Sequence, residues 1–158
     1  MTIEVRGAVG QDDDAACQVL RRSIAELCVA DHNNDESILS AWLKNKTAEN
    51  ICAWIASEHF TVVAVHDAAV CGFAMITRQG EIQLCYGGPE VRYLGAGKLM
   101  LHALEQQALR WGLNKVFLTS TLTANSFYER HGFKANGVPT TSGSGLKNVF
   151  PMAKQIGL

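Results

Sequence analysis

At residue 59 the hydrophobic pattern changes period, and a chain that does this must combine helices with paired strands. Upstream, Ala16, Leu20, Ile24 and Leu27 recur at helical spacing and predict a helix over about 13–29. Asp12, Asp13 and Asp14 offer caps and favourable charge at its start. Asp35 opens a second helix carrying Ile38, Trp42 and Leu43, and Thr47 opens a third turn with Ile51, Cys52, Trp54 and Ile55. Residues 30–36 are polar and read as a loop, while Ile3 and Val5 mark a short strand at 2–6, broken by Gly7 and Gly10. Downstream, Phe60–Val65 and Val70–Thr77 are strands, and Ile82, Leu84 and Tyr86 alternate in a third. The turns between them are short, so the three strands should form an antiparallel meander.

Gly87-Gly88-Pro89 ends that meander. After it comes the longest helical pattern, with Leu101, Leu104, Ala108 and Trp111 on one face and Gly112 as its stop. Val116–Leu118 is a buried strand, Ala124–His131 a short helix ended by Gly132, and Phe133–Ala135 the start of another strand. Residues 136–145 are a loop, and Val149–Ile156 is a last strand in which Pro151 argues for a sheet edge or a bulge. The order is a mixed α/β succession read as one domain over 1–158.

Bulk composition narrows the function. A net charge of −1 gives no electrostatic grip on nucleic acid or an anionic membrane. The five cysteines are odd in number and form no C-x-x-C pair, so they read as reduced thiols, with no zinc spacing and no metal site. No leader-like N-terminus and no apolar run near 20 residues occurs, so the expectation is a soluble protein, cytoplasmic by default.

Arg92-Tyr93-Leu94-Gly95-Ala96-Gly97-Lys98 lies between a strand and the long helix. A helix N-terminus offers unpaired N–H groups and the positive end of the macrodipole. Gly95 and Gly97 let an anion come close to the backbone, and Lys98 adds charge at the rim. A pyrophosphate suits such a place, yet neither the P-loop nor the dinucleotide fingerprint is present.

Two motifs at a matching separation give the segment a context: R-x-x-G-x-G at Arg92, Gly95 and Gly97, and N-x-x-F-Y-x-x-x-G-F from Asn125 through Phe127, Tyr128 and Gly132 to Phe133. On them the sequence resembles the GNAT superfamily of N-acetyltransferases, over nearly the whole chain. The resemblance implies a mixed, mostly antiparallel sheet with helices on both faces and central strands splayed around the pantetheine arm of acetyl-CoA, with coenzyme A as product. It implies that backbone N–H groups of Leu94, Gly95, Ala96, Gly97 and Lys98 hold the pyrophosphate, with Arg92 opening the motif. It further implies that backbone groups of Cys85, Tyr86 and Gly87 pair with the pantetheine and the acetyl carbonyl. Tyr93 and Leu94 stand where many members carry Gly and a basic residue, and Gly87-Gly88 replaces a usual apolar residue and its neighbour.

Direct acetyl transfer needs a neutral amine, a stabilised oxyanion and a proton for the leaving thiolate. By the resemblance, Tyr128 is the general acid, and Asn125 caps the short helix and touches the pantetheine. Glu81, eleven positions before Arg92, stands where histone-type members carry the general base, with Gln83 two residues on. Glu26, Cys28, His32 and Trp42 would wall the acceptor pocket, more as structure than as ligands. Cys85 lacks a paired histidine in any motif, so a nucleophilic role is disfavoured. A small-molecule or peptide amine is the expected acceptor, and the resemblance raises a homodimer through sheet edges. The rival readings are a non-catalytic acyl-CoA sensor and a protein-lysine or N-terminal acetyltransferase.

Overall fold

The computed structural model describes residues 2–143, 145–146 and 148–157. Four strands pair antiparallel in chain order: β1 (Ile3–Gly7), β2 (Phe60–His66), β3 (Ala69–Ile76) and β4 (Ile82–Gly87). A second antiparallel sheet has the order β5 (Lys115–Ser120), β7 (Phe150–Gln155), β6 (Lys134–Ala135). The helices are α1 (Asp13–Leu27), α2 (Val29–His32), α3 (Glu36–Leu43), α4 (Ala48–Ala56), α5 (Ala96–Arg110) and α6 (Asn125–Arg130). None of the described helices is long and apolar enough to cross a membrane.

Strand alternation sends side chains to two cores. Val62, Ala64, Ala74 and Ile76 meet Met100, Leu101, Leu104 and Ala108 of α5 on one face. Val63, Phe73 and Met75 meet Ala16 and Leu20 of α1 and Ile51 of α4 on the other. A third cluster ties Ile24, Cys28 and Trp42 to Leu146 and Val149. Each fully buried Leu or Ile in these layers contributes on the order of 1.5–3 kcal/mol.

Asp35 accepts from the N–H groups of Ser37 and Ile38, and Thr47 from that of Asn50, as caps of α3 and α4. The first helix stops at Leu27, and part of the expected 30–36 loop is the helical turn α2. Asp12 makes no side-chain cap on α1. Its carboxylate instead accepts from Arg6 at 2.8 and 3.0 Å and from the Val9 N–H at 2.8 Å, which ties the helix start to β1. The Arg6 guanidinium holds Asp12 below the usual carboxylate range.

Two strand expectations are corrected. β4 does not alternate simply: the register with β3 slips between Met75 and Ile76, leaving Gln83 as the extra residue. Ile82 therefore packs toward α5, while Leu84 packs toward α1. Pro151 is not on an edge strand, since β7 lies between β5 and β6. Its carbonyl accepts from Asn136 N–H at 2.8 Å, so its backbone faces β6 where that two-residue strand ends. The missing N–H falls beyond the ladder and leaves no carbonyl unpaired within it.

Among the described residues, hydrogen bonding between the two sheets is confined to one place. Phe117 N–H donates to Gly80 O at 3.0 Å, beside a parallel bridge between Glu81 and Phe117. Gly80 has φ +98°, and a Cβ there would meet the Lys115 carbonyl oxygen at 3.0 Å. Gly80→Ala combines a left-handed backbone with a close approach to main chain. It should destabilise the fold by about 1–3 kcal/mol in denaturant unfolding. An unchanged midpoint would show that the junction tolerates a Cβ.

Candidate active site

Beyond that junction β4 and β5 diverge, and a wedge opens between them. Its walls include Cys85, Tyr86, Leu118, Ser120, Thr121 and Tyr128, and no charged residue lines it. Gly88 N–H donates to Cys71 O at 2.8 Å, which sets the phase of the β3–β4 ladder. By alternation Tyr86 pairs with Phe73 across that ladder, while Cys85 and Gly87 turn their N–H and C=O groups toward the wedge. Of the three residues expected to offer backbone groups here, two are so oriented.

Tyr128 reaches the wedge from α6. Thr121 Oγ1 accepts from Ala124 N–H at 3.2 Å before the helix, and Phe133 N–H donates to Tyr128 O at 3.0 Å after it. His131 caps the C-terminal end, its Nδ1 bonded to Phe127 O at 2.7 Å. Asn125 is not the cap that was expected: Ala124 occupies that position, and Asn125 lies in the first turn with Nδ2 3.8 Å from Met152 Sδ.

A residue the sequence reading passed over anchors this region. Asp31, on α2, accepts from Leu122 N–H at 2.7 Å, from Thr123 N–H at 3.1 Å and from the Thr123 hydroxyl. It pins the loop that carries Thr121 into the wedge and leads into α6. The partners lie 91 and 92 residues away, and no local spacing signals such a contact.

The ionisable groups in the wedge are held neutral. Burial pushes Tyr128 well above the ordinary phenol value, with Cys85 and Tyr86 adding to the shift. Burial also raises Tyr86, helped by Cys28. Cys85 packs against the α5 core, and burial pushes its thiol up to about 12 although Tyr128 pulls the other way. A thiol in that state is no nucleophile at neutral pH.

At the other mouth, Leu94 N–H already donates to Val91 O at 3.0 Å, so it is removed from the expected anion donors. Gly95, with φ +90°, forms the N-cap of α5 without a side-chain cap. The N–H groups of Gly95, Ala96, Gly97 and Lys98 meet no acceptor among the described residues. A Cβ on Gly95 would meet nothing within 4 Å, whereas one on Gly97 would lie 3.2 Å from the Phe127 ring. Gly95 thus leaves space for a ligand, and Gly97 lets α5 approach α6. The Arg92 guanidinium lies 4.9 Å from the centroid of the exposed Tyr93 ring.

The other expected residues lie further out. Glu81 stands at the closed junction, one residue outside the wedge lining, where Gln83 Nε2 donates to its Oε1 at 3.1 Å. His32 is fully buried; Nδ1 accepts from Asn34 N–H at 3.0 Å, so Nε2 donates to Ile24 O at 3.0 Å. Trp42 is buried edge-on to His32, and Glu26 pairs with Arg22 at 3.5 Å. Cys28 is buried, so it builds the wall with His32 and Trp42, whereas Glu26 is exposed.

Set beside known proteins, residues 28–156 match the acetyltransferase (GNAT) domain family. An uncharacterized N-acetyltransferase of Mycobacterium tuberculosis strain H37Rv is 29% identical over 103 residues, 60% of this chain and 66% of the relative. The chain thus spans slightly under two thirds of that relative's length. The fold matches a GCN5-related N-acetyltransferase from Rhodopseudomonas palustris with a TM-score of 0.87, at 19% identity over 98% of this chain and 96% of the other. It matches the PaiA N-acetyltransferase of Thermoplasma acidophilum, in complex with coenzyme A, with a TM-score of 0.82, at 23% identity over 98% and 99% of the two chains.

The raised phenols give a direct test. In the folded protein, Tyr86→Phe and Tyr128→Phe should each leave any phenolate absorbance within the ordinary phenol range unchanged. Losing part of that signal in either variant would show that the wedge is open to bulk water.

Proposed function

The chain belongs to the GNAT acetyltransferase family, and on that premise we propose that it is an acetyl-CoA-dependent N-acetyltransferase acting on the amine of a small molecule or peptide. The observation that carries the reading is the pairing of unbonded helix-terminal amides at Gly95–Lys98 with a neutral wedge into which Tyr128 projects. The residues present fit the group. An open left-handed glycine precedes the amides, and β4 leaves backbone donors and acceptors unpaired along the wedge. Acetyl-CoA supplies an acyl group activated as a thioester.

Each residue then has a task. Gly95, Ala96, Gly97 and Lys98 bind the pyrophosphate through N–H groups, and the exposed Arg92 and Lys98 add positive charge at the mouth. Cys85 and Gly87, whose backbone groups face the wedge, would pair with the pantetheine arm and orient the acetyl carbonyl toward a backbone N–H. Asn125 reaches the arm from the first turn of α6. Tyr128, held protonated by burial, donates its phenolic proton toward the departing sulfur. Glu81, at the junction, accepts the ammonium proton of the acceptor through water. Transfer is direct, and the Cys85 thiol, which burial pushes up, does not carry the acyl group.

Acetyl-CoA should raise the melting temperature by mass action, and thiol release on an amine panel should follow. Tyr128→Phe should keep that thermal shift while lowering kcat on the order of 10²-fold or more. A shift without release on any amine would point to the sensor reading, and unchanged turnover in the variant would remove Tyr128 as the acid. Glu81→Gln should lower kcat on the order of 10²-fold, whereas unchanged turnover would assign the base elsewhere.

A further inference from the structure

From the Gly80–Phe117 junction β4 and β5 diverge, so another contact must set how far apart their open ends stand. Asp31 is placed to do this. Its base is rigid. The next residue, His32, is fully buried, with Nε2 donating to Ile24 O at 3.0 Å and Nδ1 accepting from Asn34 N–H at 3.0 Å. These bonds lock α2 to the end of α1, which packs on Phe73 and Met75 of β3 and Leu84 of β4. Asp31 also stands near the β4 wall: burial raises the Tyr86 phenol, and the Asp31 charge adds to that rise.

The carboxylate of Asp31 grips the loop in which β5 ends. It accepts from Leu122 N–H at 2.7 Å, from Thr123 N–H at 3.1 Å and from the Thr123 hydroxyl. Hydrogen bonds to an ionised acceptor are the stronger kind, and three converge here. α6 starts from this gripped loop. Asn125 N–H donates to Leu122 O at 3.4 Å, Ala124 N–H to Thr121 Oγ1 at 3.2 Å and Tyr128 N–H to Ala124 O at 3.1 Å. The helix has six residues, too few to hold its own shape in water. The direction of Tyr128 therefore depends on what fixes the two ends. Phe133 N–H, bonded to Tyr128 O at 3.0 Å, fixes one, and Asp31 fixes the other.

We propose that Asp31 is a positioning residue for acetyl transfer: a strut between α2 and the β5–α6 loop that sets the width of the wedge and aims Tyr128 at the reacting sulfur. The proposal rests on the transferase reading, and it acts through Tyr128 without contact between Asp31 and the reacting atoms.

The test compares folded wild type with folded Asp31→Ala, and its first readout needs no substrate. Without the strut water reaches Tyr128, so phenolate absorbance within the ordinary phenol range should be larger in Asp31→Ala by one tyrosine. That gain should vanish in Asp31→Ala/Tyr128→Phe and persist in Asp31→Ala/Tyr86→Phe. On whichever amine supports thiol release, kcat should fall on the order of 10²-fold, as for a small misplacement of a reacting group. The KM for acetyl-CoA and the coenzyme A thermal shift should hold, because the amides at the start of α5 are untouched. Asp31→Asn, which keeps one acceptor oxygen, should lie between. A merely structural aspartate would lower the melting temperature and leave the phenol signal of the folded protein as it was. Should Asp31→Ala fail to fold, Thr123→Val, which removes one of the three donors, repeats the comparison with the same sign. Equal phenol signals in wild type and the folded variant overturn the strut. No coenzyme A shift in wild type overturns the transferase reading instead.

Discussion

Two strand edges left unpaired in the middle of the molecule set the terms for the rest of it. β4 pairs with β3 and β5 with β7, and among the described residues hydrogen bonding between the two sheets is confined to the Gly80–Phe117 junction. Backbone N–H and C=O groups are obligatory hydrogen-bonding groups, so an interior edge without a partner demands one. A linear ligand that offers amides and a carbonyl answers that demand, which is the chemistry the pantetheine arm of acetyl-CoA supplies. The bulge at Gln83 belongs to the same solution. It divides Ile82 and Leu84 between the two cores, while Cys85 and Gly87 keep their backbone turned to the wedge.

Electrostatic separation follows from this geometry. The wedge holds neutral groups, with both Tyr128 and Cys85 kept protonated by burial. Charge handling is displaced to the ends: unbonded amides at the start of α5 and the Glu81 carboxylate at the junction. A low-dielectric centre with polar termini strengthens each directed hydrogen bond, because water does not compete there. Asp31 keeps the arrangement in register by bonding the loop ahead of α6, so the wall built from α1 and α2 and the helix bearing Tyr128 are held as one unit.

Much of this was legible in local pattern. Helical spacing located α1, α3 and α5, β-branched runs located β2 and β3, and glycines at 95, 112 and 132 marked helix ends where positive φ is required. The glycine motif and the Asn125–Phe133 motif pointed to the candidate site, because each is a short contiguous segment. Contacts between distant segments were not legible. Asp12 looked like a helix cap and is a partner of Arg6; Pro151 looked like an edge residue and lies within a sheet whose neighbour ends beside it; Asn125 looked like a cap and is not one. Gly97 looked like an anion contact and is also where α5 approaches Phe127.

By itself, then, the sequence determined the element types, the mixed architecture, the family resemblance and the two motifs on which the proposed cofactor site rests. These are encoded in periods of two and 3.6 residues and in the conformational limits of glycine and proline, which act over a few neighbours. Tertiary structure alone decided the bulge that divides β4 between two cores, the Asp31 clasp and the neutrality of the wedge. Those depend on which surfaces exclude water from one another, and that is set only when segments dozens of residues apart come to rest together.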